Sequence, residues 1–244
     1  CRRISRMRES PSSFGSMMST TATSKSPTLT VRISESDMTL TAIYEDSDEP
    51  TPESEFTYTI ADSKVTITGY TGSRTVIRIP PTIEGVPVTV IGSSAFSSNT
   101  TLLRIYLPDS VTHIMDSAFK NCSNLTACHL GGNIVSISSY AFAYTAVNNI
   151  SLPETLTNLS SYAFYYDSKL ESVVIPGSVK RIQYATFWGC SRLTSIILSE
   201  GVEAIDSAGL AACKISSLHI PVSLTTIAEG ALQRNSSYSE VTVA

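Results

Sequence analysis

A chain of 244 residues with 16% charged and 8% aromatic side chains has to assemble its core from many small aliphatic pieces, in one large domain or two small ones. Its net charge of −4, close to balance from Phe56 onward with 11 basic against 12 acidic residues, argues against nucleic-acid binding, which needs clustered Lys and Arg. No apolar run reaches the length that crosses a bilayer.

In chain order, residues 1–27 are basic and rich in Ser and Thr, with Arg2, Arg3, Arg6, Arg8 and Lys25, and read as disordered. No apolar run follows the arginines and the first residue is Cys1, so a fragment of a longer chain is expected and not a secretory leader. Residues 28–44 alternate twice (Leu29, Val31, Ile33, then Met38, Leu40, Ala42, Tyr44) and read as the remnant of an upstream β-domain. In residues 45–55, Glu45, Asp46, Asp48, Glu49, Glu53 and Glu55 interleave with Pro50 and Pro52, the composition of an acidic, solvated linker. Residues 56–90 predict a β-hairpin-like cap, from the alternation of Phe56, Tyr58 and Ile60, then Val65 and Ile67, and the turn Tyr70-Thr71-Gly72-Ser73 before Val76, Ile77 and Ile79.

From residue 91 to 244 the chain repeats itself. Phe96, Phe119, Phe142, Phe164, Phe187, Leu210 and Leu232 follow at steps of 22 or 23. Each lies five residues after an aliphatic (Ile91, Ile114, Ile137, Leu159, Ile182, Ile205, Ile227), with another three residues earlier. A Leu-x-x-Ile-x-Leu piece comes next, as in Leu102/Ile105/Leu107 and Leu193/Ile196/Leu198. Its last two aliphatics are two apart and share one face of a strand. Strands from neighbouring repeats can then pair in parallel with like side chains in layers. A single repeat cannot fold alone, so stability is a nearest-neighbour property. The small residue before each anchor (Ala95, Ala118, Ala141, Ala163, Thr186, Gly209, Ala231) allows close approach of adjacent coils. Proline at strand exits (Pro80, Pro108, Pro153, Pro176, Pro221) lacks an N–H and ends the ladder. Gly131-Gly132 takes that place once and reads as a turn. The last strand, ending at Val243, has no matching cap, as expected of an array cut short.

The run Leu107-Pro108-x-x-Val111-x-x-Ile114-x-x-x-Ala118-Phe119-x-x-Cys122-x-x-Leu125-x-x-Cys128-x-Leu130 resembles the BspA-like leucine-rich repeats of bacterial and protozoan surface proteins. The lead-in Val65-Thr66-Ile67-Thr68-Gly69-Tyr70-Thr71-Gly72 is similar to the segment that precedes them, and the resemblance covers roughly residues 56–244. It implies a leucine-rich-repeat solenoid: a right-handed superhelix of 23-residue repeats, one short parallel strand each, with an irregular or short helical outer side. It also implies a cell-surface or secreted location and a noncatalytic role in adhesion to host or matrix proteins.

Candidate chemistry is sparse. Cys122, Cys190 and Cys213 fall three residues after an anchor, where other repeats carry Asn99, Thr145, Asp167 and Asn235. A small residue turning the chain inside the coil accounts for all seven, and buried thiols behave as small hydrophobes. A disulfide, or a metal-binding or nucleophilic role, is the minor alternative. No catalytic triad, zinc motif or phosphate-binding glycine loop is present, so neither an enzyme nor a cofactor or metal is expected. Six Asn-x-Ser/Thr sequons are most simply coincidence in so Ser/Thr-rich a frame.

The informative positions are those that point outward from the strands: Arg104/Tyr106, Ala127/His129, Asn149/Ser151, Ser172/Val174, Ser195/Ile197, Ser217/His219 and Glu240/Thr242. Tyr106, Val174 and Ile197 have no core reason to be apolar, although β-branched residues such as Val174 and Ile197 favour strands in any case, and with His129 and His219 they form the candidate ligand-binding set. The expected partner is a protein or glycoprotein, with extracellular matrix as one candidate, bound by a monomer through the sheet face. A structural stalk displaying another domain is one alternative, and a glycan-targeting module is another. Tyr140, Tyr162 and Tyr184, each just before an alanine, combine with Tyr165, Tyr166 and Trp188 into an aromatic patch on the opposite side, an alternative contact surface that stacking between coils explains equally well.

Overall fold

The computed structural model describes residues 19–20, 29–32, 41–44, 48–235 and 240–243, which fall into two units, Cys1–Glu49 and Pro50–Ala244. In the first, β1 (Ser19–Thr20), β2 (Leu29–Arg32) and β3 (Thr41–Tyr44) form an antiparallel sheet in that order. β1 lies within the segment expected to be disordered. Ser19 pairs with Thr30, on the edge of β2 that would otherwise leave backbone groups unpaired. The rest of residues 1–27 lies outside the described residues.

The acidic linker expected over residues 45–55 is shorter than its composition suggests, because Pro50 onward belongs to the second unit. Thr51 is 5% exposed. Its N–H donates to the Arg78 carbonyl at 2.9 Å and its hydroxyl accepts the Arg78 N–H at 3.0 Å. A single 3-10 turn, Glu53–Glu55, follows. The Glu55 carboxylate accepts hydrogen bonds from the Tyr70 hydroxyl (2.8 Å) and Arg74 Nε (2.9 Å). An acidic run reads as solvated until the groups that neutralise it arrive from later in the chain.

The cap is the expected hairpin of β4 (Phe56–Ala61) and β5 (Lys64–Tyr70), joined through Asp62 and Ser63, both at positive φ. β6 (Val76–Arg78), β7 (Thr82–Ile83) and β8 (Val86–Ile91) complete it, with β5 pairing parallel to β8. The remaining strands are β9 (Arg104–Tyr106), β10 (His113–Ile114), β11 (Ala127–His129), β12 (Ser136–Ile137), β13 (Asn158–Leu159), β14 (Ser172–Ile175), β15 (Arg181–Ile182), β16 (Ser195–Leu198), β17 (Ala204–Ile205), β18 (Ser217–Ile220), β19 (Thr226–Ile227) and β20 (Glu240–Val243).

These make a β-solenoid of about seven turns with almost no helix. The main sheet takes β6, β9 and β11, passes through single bridges from Ala127 to Asn149 and from Asn149 to Ser172, and resumes with β14, β16, β18 and β20. The structure adds a second strand to most repeats, two residues long, at the Val-x-x-Ile piece. It pairs β8, β10, β12 and β13 in one run and β15, β17 and β19 in another. Among the described residues, the side opposite the main sheet consists of turns and carries no short helix.

Inside, the anchors stack. Phe96, Phe119, Phe142, Phe164 and Phe187 lie 5.2–5.3 Å apart, nearly parallel and fully buried. The cap extends the column through Tyr70 and Phe56. Each anchor N–H from Phe96 to Leu210 reaches the carbonyl of the small residue in the next repeat, as in Phe96 to Ala118 and Phe119 to Ala141. That backbone approach is why the slot stays small. At Gly131 a Cβ would lie 2.5 Å from the Pro108 carbonyl oxygen, so the turn that replaces a proline there requires glycine.

Candidate functional site

Parallel pairing fixes the register between repeats and lines up one outward column on the main sheet. Arg78 pairs with Tyr106, and Tyr106 with His129. The bridges through Asn149 carry the column across Ser151 to Val174, which pairs with Ile197, and Ile197 with His219. All five residues expected from the sequence to contact a ligand therefore lie along this one column.

Their environments differ. Val174 and Ile197 are each 49% exposed on adjacent strands, an uncovered apolar pair about 4.8 Å apart in backbone spacing. Tyr106 is partly buried. Its ring stacks flat on His129 with centroids 4.3 Å apart and planes at 8°. The Arg78 guanidinium carbon lies 3.7 Å from the Tyr106 ring centroid, a cation–π contact. Arg78 falls within the cap and is not among the residues that the sequence singles out. The signal was present: Ile77-x-Ile79 repeats the spacing of Ile105-x-Leu107, which turns the residue between them outward.

Between these two halves the sheet narrows to the bridges at Asn149, where only small polar side chains occupy the surface. A groove of about 540 Å³ results, lined among others by His129, Asn149, Ser151, Ser172, Val174 and Ile197. The Ser172 hydroxyl donates to Asn149 Oδ1 at 2.9 Å. One end of the site is thus cationic and aromatic, the floor offers hydroxyl and amide groups, and the other end is apolar.

The cysteines do internal work. The Cys122, Cys190 and Cys213 thiols donate to the carbonyls of Phe96, Phe164 and Phe187, the anchors one repeat back. Asn235 does the same to Leu210 through its amide. Burial pushes the thiols of Cys122 and Cys213 up to about 12. It raises those of Cys128 and Cys190 as well, and all four are free. Asp167 holds the same slot fully buried, and desolvation outweighs its hydrogen bonds to raise its carboxyl to about 7.

On the turn side, each repeat holds two residues at positive φ, two before and two after the anchor. The left-handed turn lets N–H groups aim at the next coil, as from Ser98 to Lys120 and from Tyr166 to Trp188. Most repeats fill these places with Ser, Asn, Ala or Gly. The third and fourth use Tyr140 and Tyr144, then Tyr162 and Tyr166, although a bulky residue there costs about 1–3 kcal/mol of backbone strain. Tyr184 is not their equivalent, despite also preceding an alanine. Ala185 takes the left-handed position and Thr186 the small slot, so Tyr184 sits one residue early and meets Tyr162 edge-on, at 76°.

No curated protein matches the sequence. A solved leucine-rich cell surface protein from Faecalibacterium prausnitzii is 27% identical with a TM-score of 0.69, over 81% of this chain and 55% of that one. The leucine-rich repeat protein of T. pallidum is 26% identical with a TM-score of 0.53, over 64% of this chain and 84% of that one. The pneumococcal vaccine antigen PcpA shares the fold at 18% identity and a TM-score of 0.50, with this chain covering 50% of its length. Among the described residues, no helix is long and apolar enough to cross a membrane. The family model for the BspA type leucine rich repeat region matches in six copies over residues 75–192 and 157–244, and the chain belongs to that family.

Proposed function

We propose that this chain is a noncatalytic recognition module of a cell-surface or secreted protein, which binds a segment of a host or matrix protein along the main sheet. The observation that carries this reading is the column Arg78, Tyr106, His129, Ser151, Val174, Ile197, His219 with its groove at Asn149. An exposed Val–Ile pair contributes nothing to the core and is what an apolar side chain of a partner would cover. The Arg78–Tyr106–His129 stack holds its rings rigid, so little conformational freedom is lost on contact. Polar groups on the groove floor can meet the backbone of an extended segment. The cell-surface description of the F. prausnitzii protein supports the location.

The test is binding of the chain to a panel of extracellular-matrix and host-surface proteins by interferometry at physiological salt. A Tyr106→Ser/Val174→Ser/Ile197→Ser variant that still folds should lose the interaction. Binding that survives in that variant places the site elsewhere, and no binding across the panel favours a structural stalk.

A further inference from the structure

The turn side of the third to fifth repeats carries seven aromatic side chains. Tyr140 stacks on Tyr162 (4.7 Å, 6°) and Tyr144 on Tyr166 (5.7 Å, 7°). Tyr165 stands edge-on to all four. Four of these tyrosines occupy left-handed backbone positions that Ser, Asn, Ala and Gly fill in the other repeats, Arg234 in the last repeat excepted. None of the five is an anchor, and Tyr144 and Tyr166 are 42% and 45% exposed. Side chains that strain the backbone and leave nearly half their surface in water are not explained by core packing. Strain of that kind gathers where a surface has work to do.

The orientation of the rings says what would bind. An aromatic ring is negative on its faces and positive at its edge. The faces here are occupied: Tyr140 lies between Tyr162 and the Lys120 ammonium, which is 4.9 Å from its ring centroid. Tyr166 lies between Tyr144 and the backbone of Gly189, where a Cβ would come within 3.1 Å of the ring. Solvent therefore meets mainly positive edges and phenol hydroxyls. Burial and neighbouring phenols raise the pKa of Tyr162 and Tyr165, so both remain neutral donors. Lys120 adds positive charge against the Tyr140 ring, and the exposed Lys169 follows Tyr166 by three residues. Within residues 138–146, 160–169 and 183–193 the one carboxyl is the buried Asp167, while at the margin Asp116 accepts the Ser139 N–H and Glu171 pairs with Arg192.

We infer that this tyrosine face is a second binding surface, separate from the main sheet, and that it takes an acidic extended segment of a partner protein. Carboxylates meet phenol donors, ring edges and the two lysines. Tyrosine also provides rigid amphipathic contact area at low entropic cost. Glycans stack on open ring faces, and the stacks leave few of those.

Fluorescence polarisation of a short labelled peptide of alternating Glu and Ser tests this on the full chain. A Lys–Ser peptide and a neutral cello-oligosaccharide serve as rival probes. The Glu peptide should bind, and bind more weakly as salt rises, while the Lys peptide should not bind. A Tyr144→Asn/Tyr166→Ala variant should bind roughly tenfold more weakly or worse, and Tyr106→Ser on the main sheet should change nothing. Asn121 and Ala212 already stand at the equivalent positions with positive φ, so the tyrosine variant keeps a backbone the fold accepts. Lys120→Gln/Lys169→Gln, which alters no strained position, should weaken binding and flatten its salt dependence. The idea is overturned if the unmodified chain ignores the Glu peptide, if the Lys peptide binds as well, if only the oligosaccharide binds, or if both variants keep full affinity.

Discussion

The Thr145 hydroxyl oxygen lies 2.7 Å from Oδ2 of Asp167 and 3.1 Å from the Phe142 carbonyl, inside the coil where neither side chain meets solvent. One hydroxyl proton cannot serve two acceptors. If Asp167 is protonated, it donates to Thr145, and Thr145 donates onward to Phe142. The chain of hydrogen bonds then closes in the way a cysteine or asparagine closes it in other repeats. Burial favours the neutral acid and outweighs the Thr145 hydroxyl and the backbone N–H groups of Lys169, Leu170 and Val147, which favour the carboxylate.

A pH dependence follows. The Asp167 carboxyl is raised from 3.8 to about 7 in the folded state, so between those values the native chain holds a proton the unfolded chain has lost. Stability from this group is complete below pH 3.8, falls as pH rises toward 7, and is level beyond, with a total of at most about 4 kcal/mol. Asp167→Asn, whose amide can donate to Phe142 as Asn235 does to Leu210, should remove that slope. Urea unfolding at pH 5 and pH 8 measures it, and equal slopes in the two proteins would contradict the neutral acid.

Phe142 is sandwiched between Phe119 and Phe164 at 5.2 Å on each side, with no exposed surface. Phe142→Ala leaves a cavity in mid-array and should cost about 3–5 kcal/mol in denaturant unfolding. A change under about 1 kcal/mol would mean the anchor register is wrong.

Gly189 sits at φ +78 with the Tyr166 ring against it. Gly189→Ala adds a strained backbone and a Cβ in contact with that ring, so a loss of about 1–3 kcal/mol is expected. Tyrosine fluorescence, read beside thermal unfolding, should change with it. Unaltered stability and emission would show that the ring is not packed there.

The thiols of Cys122, Cys128, Cys190 and Cys213 are buried, and their raised pKa values leave little thiolate at pH 8. In a Cys1→Ser background, a thiol-reactive chromophore should label almost nothing until denaturant is added, and then four groups. Rapid labelling of the native chain would show that these slots open to solvent.

How much of this was legible beforehand depends on whether a feature repeats. The Phe column, the small slot before it and the outward positions of Tyr106, His129, Val174, Ile197 and His219 all follow from a period, because stacked coils place like residues on like residues. Asp167 was recognisable as a slot residue, but its protonation rests on Thr145 lying one coil away. The edge of the linker was misread because Glu55 finds its partners, Tyr70 and Arg74, only after the hairpin has folded back on it.

The sequence by itself determined the solenoid, its seven anchors and which side of each strand faces solvent, since apolar spacing and one hydrogen-bonded pitch leave little choice. Tertiary structure alone decided that Arg78 joins Tyr106 and His129 in one stack, that the main sheet dips at Asn149, and that four tyrosines occupy left-handed turns and stack in two pairs. Those are relations between coils at a particular register and backbone conformation, and a period in one dimension carries no information about ring orientation or φ.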